Sequence, residues 1–181
     1  MIINVAPLLK ELVGAQADYH FAEDPIDPKG ENAGLREIGA VSIDSDILAT
    51  HTNPGAYLEG RVDARFEATC SRCLRAFEEP VHADFAEQYY ATIGVANGEP
   101  LDAAPRDAKT IGSDFRIDVT PLLSEELLLA SPIAPLHDPD CKGLCLVCGR
   151  DLNLEPHTHD DPTDERWAKL EALKNFHAER E

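Results

Sequence analysis

Residues 58–73 read Leu-Glu-Gly-Arg-Val-Asp-Ala-Arg-Phe-Glu-Ala-Thr-Cys-Ser-Arg-Cys. Small or apolar residues occupy every second place: Leu58, Gly60, Val62, Ala64, Phe66 and Ala68. Glu59, Arg61, Asp63, Arg65 and Glu67 fall between them. A period of two over this length predicts a long strand with one wet face. The strand runs straight into Cys70, and the chain then turns through Cys70–Cys73. It returns as a second alternation, with Val81, Ala83 and Phe85 set against His82 and Asp84, ending near Tyr89 and Tyr90. The expectation is a hairpin with a cysteine pair at its tip.

A second pair, Cys145-Leu-Val-Cys148-Gly149, lies far downstream, with Cys141 just before it. Each C-x-x-C turn aims two sulfurs at one point, and two turns complete a tetrahedron of thiolates around zinc, with Zn–S near ~2.3 Å. The reading is one structural zinc held by Cys70, Cys73, Cys145 and Cys148, clipping the hairpin tip to a C-terminal segment. Seventy-one residues separate Cys73 from Cys145, far more than the roughly 15–20 between the pairs of compact ribbons, so closure must come from the fold. The competing readings are a thiol redox pair and reduced, unligated cysteines. A disulfide framework does not suit a chain of this size without a secretion signal. Cys141 is surplus, as a buried thiol or a substitute ligand. Gly143 and Gly149 supply sharp turns beside the second pair. His157-x-His159 has metal-ligand chemistry, but the sequence around it reads as a solvated acidic linker without a second site.

The chain has 181 residues, 43% of them hydrophobic, and a formal net charge of −18. That balance disfavours nonspecific binding to nucleic acid. Any RNA contact must use a local basic patch or pass through a protein partner. No apolar run approaches the ~20 residues of a membrane span, and the start lacks a signal-peptide pattern. The expected location is the cytoplasm, with no membrane partner. The sequence shows no internal repeat.

The remaining elements follow from turn and periodicity signals. Pro7 to Val13 reads as a short helix with Gly14 as its stop. Residues 18–34 read as a mobile loop rich in Asp, Pro and Gly. Ile38, Val41, Ile43 and Ile47 suggest an extended segment, and Asn53-Pro54-Gly55 a turn. Residues 94–113 read as a surface loop, and Phe115, Ile117 and Val119 as a short strand. Thr120 and Pro121 open a helix to Ala130, with Thr120 as N-cap, and its leucines suggest a core helix. Its acids Glu125 and Glu126 are read as a favourable charge near the helix start. Pro132 and Pro135 lock the following stretch in extended form. A last helix near 163–178 carries Trp167, Leu170, Leu173 and Phe176 as an apolar stripe. The fold class is α+β: a twisted antiparallel sheet over 35–119 with helices at 7–13, 121–130 and 163–178. The domain spans 1–154, followed over 155–181 by an acidic linker and the C-terminal helix packed on it.

Several of these segments occur together in one known order. Cys70-Ser-Arg-Cys-Leu74 follows a strand and precedes Phe77. Asp118-Val-Thr-Pro-Leu-Leu-Ser-Glu-Glu-Leu127 comes next, then Leu129-Ala-Ser-Pro-Ile-Ala-Pro-Leu-His137. Cys141-Lys-Gly-Leu-Cys-Leu-Val-Cys-Gly-Arg-Asp-Leu-Asn153 follows, and Arg166-Trp167 through Leu173 ends the series. Over roughly residues 35–176 the chain resembles the bacterial YceD-like family, the large ribosomal RNA subunit accumulation proteins. The resemblance implies a non-enzymatic role in keeping 23S ribosomal RNA at normal levels and in assembling the large subunit. Many relatives carry proline after the third ligand cysteine, where this chain has Leu146. Some branches lack the second cysteine pair, which makes zinc a structural clip rather than the function itself.

Three functional classes are open to such a chain. In the first, the protein binds 23S rRNA or a large-subunit precursor directly, through the candidate RNA contacts Arg61, Arg65, Arg72 and Arg75. Guanidinium groups suit phosphate because they bind it bidentately, yet the interleaved acids Glu59, Asp63, Glu67, Glu78 and Glu79 compete for them. In the second, an acidic adaptor chaperones a basic ribosomal protein, which the net charge suits. The third is an enzyme or redox switch. The chain has no Ser-His-Asp order, phosphate loop or H-E-x-x-H motif, so the expectation is no enzyme. The sequence does not specify an oligomeric state.

Overall fold

The computed structural model describes residues 1–24, 26, 29–30, 33–101 and 104–159. The C-terminal helix expected near 163–178, with Trp167, lies outside them. Strand β1 (Ile2–Asn4) leads to a single 3-10 turn at Leu8–Lys10, then β2 (Gln16–Glu23), helix α1 (Ala33–Glu37), β3 (Ala40–Thr52), β4 (Gly55–Thr69) and β5 (Ala76–Ala91). Two short strands, β6 (Lys109–Ile111) and β7 (Arg116–Asp118), precede helix α2 (Thr120–Ala130). Among the described residues the result is mostly sheet with few helices.

The main sheet has five strands in the order β2-β3-β4-β5-β6. Strands β2 to β5 pair antiparallel with their neighbours, and β6 joins β5 in parallel. The alternation quoted above makes up most of β4. Leu58, Val62, Ala64 and Phe66 are buried, whereas Glu59, Arg61, Arg65 and Glu67 are exposed. Val81, Phe85 and Tyr89 of β5 and Ile43 and Ile47 of β3 join the same core. Each such fully buried aliphatic side chain contributes about 1.5–3 kcal/mol relative to exposure. Gly60 interrupts the β4 face for a steric reason: a Cβ there would meet the Asp46 carbonyl oxygen at 2.1 Å. The expected hairpin is present, with Thr69 opposite Ala76 and the first cysteine pair between them. The Asn53-Pro54-Gly55 turn joins β3 to β4.

Several expectations need correcting. Part of the stretch read as loop over 18–34 is strand: β2 runs to Glu23, with Ala17, Tyr19 and Phe21 packed against the core. Residues 33–37 are helical rather than extended. The helix expected over 7–13 is reduced to its 3-10 turn, because Glu11 is already extended and Leu12 and Val13 point to solvent. The loop over 94–113 contains β6. β7 does not extend the main sheet; it pairs with β1 in a separate two-stranded sheet. α2 is capped by Val119 without a side-chain bond. Thr120 is its first residue, and the Thr120 N–H donates to Asp118 Oδ1 at 3.0 Å. α2 lies on the sheet with only one face covered: Leu122, Leu123 and Leu127 are buried, but Leu128 and Leu129 are exposed.

Candidate metal centre

The long β4–β5 hairpin carries its tip well beyond the main core. There the turn is framed by two backbone bonds: Cys70 N–H donates to the Arg75 carbonyl at 2.8 Å, and Leu74 N–H to the Cys70 carbonyl at 2.9 Å. Leu74 takes φ 60° to close it. This frame turns both thiols to one side. The chain after α2 is drawn alongside, because Ser71 N–H donates to the Pro135 carbonyl at 2.9 Å. That bond places His137 next to the turn. The Asp138 carboxylate accepts the Asp140 N–H at 2.8 Å and the Asp138 carbonyl accepts the Cys141 N–H at 3.0 Å. This tight loop brings Cys141 back to the same point as His137.

The outcome is a cluster of Cys70, Cys73, His137 and Cys141, whose ligand atoms all lie within 4.8 Å of one another. Its three cysteines are buried and make a small apolar cluster with Phe77, Leu136 and Leu144. Cys70 Sγ lies 3.8 Å from Cys141 Sγ, and Cys73 Sγ lies 3.4 Å from His137 Nδ1. A tetrahedral ion with thiolate arms of ~2.3 Å and an imidazole arm of ~2.0 Å sets those edges at about 3.8 and 3.5 Å. The residues present therefore fit a four-coordinate metal ion. All five cysteines are free thiols.

The electrostatics favour thiolate at Cys70. Burial acts to raise the Cys70 thiol. The His137 side chain and the N–H groups of Cys73, His137 and Arg72 outweigh it and bring the thiol down to about 5. Burial raises Cys73, as expected for a second thiol crowded by Cys70 and Cys141. A bound cation relieves that crowding by drawing off the remaining protons.

Cys145 and Cys148, expected to complete this cluster, are placed in another one. They gather with His157 and His159, again with all four ligand atoms within 4.8 Å. The structure thus keeps each C-x-x-C pair intact and gives each a different set of companions. Cys141 takes the place of a substitute ligand, one of the two roles open to it from the sequence, whereas nothing in the sequence singles out His137 and the His157-x-His159 stretch has the composition of a linker. The signal for the histidines was present: residues i and i+2 of an extended chain face the same way, and Pro156 favours extension just before His157.

The four candidate RNA contacts are all engaged within the protein. Arg61 Nε donates to Asp84 Oδ1 at 3.1 Å. Arg65 pairs with Asp24 at 2.6 Å and Glu78 at 3.7 Å, and donates to Ser42 Oγ at 2.8 Å. Arg72 donates to the Cys141 carbonyl at 2.8 Å, which ties the hairpin tip to the ligand loop. Arg75 faces Asp151 at 3.6 Å.

A family model described as large ribosomal RNA subunit accumulation protein YceD matches residues 58–174. The chain belongs to the YceD family. The YceD match begins in β4 and takes in both cysteine turns. Among curated proteins, an uncharacterized protein of Mycobacterium tuberculosis is 30% identical over 128 residues, covering 71% of this chain and 60% of the relative. An uncharacterized protein of Mycobacterium leprae is 32% identical over 131 residues, covering 71% of this chain and 57% of the relative. The chain thus spans less than two thirds of the length of these relatives. No solved structure matches it.

Proposed function

We propose that this protein is a non-enzymatic factor that supports accumulation of 23S ribosomal RNA and assembly of the large ribosomal subunit. The observation that carries the reading is the YceD family match over residues 58–174. In this reading the ion at Cys70, Cys73, His137 and Cys141 is zinc. Four protein ligands leave no open coordination position, so the ion serves as a clip and not as a Lewis acid. The clip holds the segment after α2 against the hairpin tip and presents one composite surface to a partner.

The test is to deplete the protein and measure 23S rRNA relative to small-subunit rRNA, alongside sedimentation of the tagged chain. A fall in 23S rRNA, with co-migration of the protein and large-subunit precursors, is the expected result. Unchanged rRNA ratios on depletion would overturn the proposal.

A second reading of the molecular role is favoured by the engaged arginines. Arg61, Arg65 and Arg75 already face carboxylates, and the whole chain carries a net charge of −18. An acidic surface of this kind attracts a basic ribosomal protein and speeds its encounter. Binding that survives RNase but weakens steeply with salt supports the adaptor; loss of co-migration on RNase treatment supports direct rRNA contact.

A further inference from the structure

The second cysteine turn repeats the first, although the sequence shows no extended repeat. Cys145 N–H donates to the Arg150 carbonyl at 2.8 Å, and Gly149 N–H donates to the Cys145 carbonyl at 2.8 Å. These are the bonds that frame Cys70–Arg75, at the same offsets. Gly149 takes φ 71° where Leu74 takes 60°. A turn of this kind delivers two sulfurs and requires two more donors from elsewhere. The first turn finds His137 and Cys141; the second finds His157 and His159.

The imidazoles are oriented as ligands. His157 Nε2 lies 3.1 Å from Cys148 Sγ, and its other ring nitrogen, Nδ1, lies 2.7 Å from the Glu155 carbonyl oxygen. A carbonyl accepts only from a protonated nitrogen, so that bond fixes the tautomer with the Nε2 lone pair toward the sulfur. Metal-bound histidines are held in this way by an acceptor on the ring nitrogen that does not face the metal. The His159 ring stands edge-on to that of His157, with centroids 4.9 Å apart. Two thiols and two imidazoles directed at one point, without a carboxylate among them, match a tetrahedral zinc site.

Access differs between the two clusters. Cys70 is fully buried, whereas Cys148 and His159 are exposed. His157 and His159 also line an open groove shared with Ser71, Arg72, Leu146 and Val147.

We propose that each chain holds two zinc ions, the second bound by Cys145, Cys148, His157 and His159 at a site open to solvent that exchanges its metal before the first. The proposal rests on ligand geometry and not on the ribosomal reading. Its test is metal analysis of the reduced, full-length chain, followed by chelator challenge with a chromogenic zinc indicator. The expected result is two equivalents of zinc, released in two phases of equal amplitude, the fast phase at least ten times faster. In the Cys148→Ser, His159→Ala double variant, one equivalent remains and the fast phase is gone. With cobalt in place of zinc, the wild type gives the thiolate charge-transfer intensity of five cysteine ligands and the variant that of three. One equivalent in the wild type, or release in a single phase, overturns the proposal whether or not the variant folds. Loss of both equivalents from a folded variant overturns the independence of the sites.

Discussion

The two cysteine turns share a backbone frame and differ in nearly everything around it. Cys70–Arg75 sits at the end of two strands of 15 and 16 residues, inside a small apolar cluster. Cys145–Arg150 sits in a segment whose nearest regular pairing is a single bridge between Leu144 and Asp151. Its apolar tip residues Leu146 and Val147 are exposed. The contrast separates two determinants: the local sequence C-x-x-C-x-R builds the turn, whereas its surroundings decide how well an ion is shielded. Cys145, brought to about 6 chiefly by the N–H groups of Cys148 and Val147, owes its thiolate character to the turn itself.

The largest effect is expected at the first turn. Cys70→Ser removes a buried ligand and should release the first ion, lowering Tm by roughly 10 °C or more, since each kcal/mol is worth about 2–4 °C in a chain of this size. Differential scanning calorimetry reads it directly. A Tm within about 3 °C of wild type would remove the first cluster from any structural role. The junction between the turns comes next. Gly143 has φ 77°, and a Cβ there would lie 3.1 Å from the Arg72 carbonyl oxygen. Gly143→Ala should cost about 2 kcal/mol from left-handed strain and crowding together, measured by urea denaturation.

Equivalent positions of the two turns should respond to substitution with smaller effects. Leu74 is exposed and carries the positive φ that glycine supplies in the second turn. Leu74→Gly should therefore stabilise the protein by up to about 1 kcal/mol, and Gly149→Leu should cost about 1–2 kcal/mol. Opposite signs in urea midpoints would establish the equivalence; equal signs would refute it. Least of all, Arg75→Ala removes an ion pair with Asp151 and should cost about 0–1 kcal/mol. Combined with Arg72→Ala it also tests RNA contact: filter binding of 23S rRNA unchanged by the pair would assign the interaction to a protein client.

The hairpin was legible because Leu58 to Phe85 obey a period-two rule that needs no knowledge of distant partners. α2 was legible in extent for a similar reason, since Pro121 and the leucine run mark it locally. What the chain does with these pieces depends on contacts remote in sequence. β1 and β7 have three residues each, and among the described residues each finds its strand partner in the other, more than a hundred positions away. β2 is recognisable once Tyr19 and Phe21 are seen against β3, but its three alternating residues precede a run of turn formers that hides them. The cysteine pairs announced metal chemistry without disclosing their companions. C-x-x-C chemistry admits either a second pair or a nearby histidine, and contacts remote in sequence, among them Ser71 to Pro135 and Arg72 to Cys141, bring His137 to the first turn.

The spacing of ligands along the chain has a consequence for the order of folding. Cys73 and His137 are 64 residues apart, whereas Cys148 and His157 are 9 apart. Bringing the first pair together from an unfolded chain carries an extra closure cost of roughly 2 kcal/mol by the logarithm of loop length. The exposed cluster is thus expected to capture its ion early, as a local event within a short peptide stretch. The buried one must wait until β4 and β5 have zipped and α2 has docked. An ion bound there would seal the completed fold, and the rate of its capture would report how fast the sheet is made.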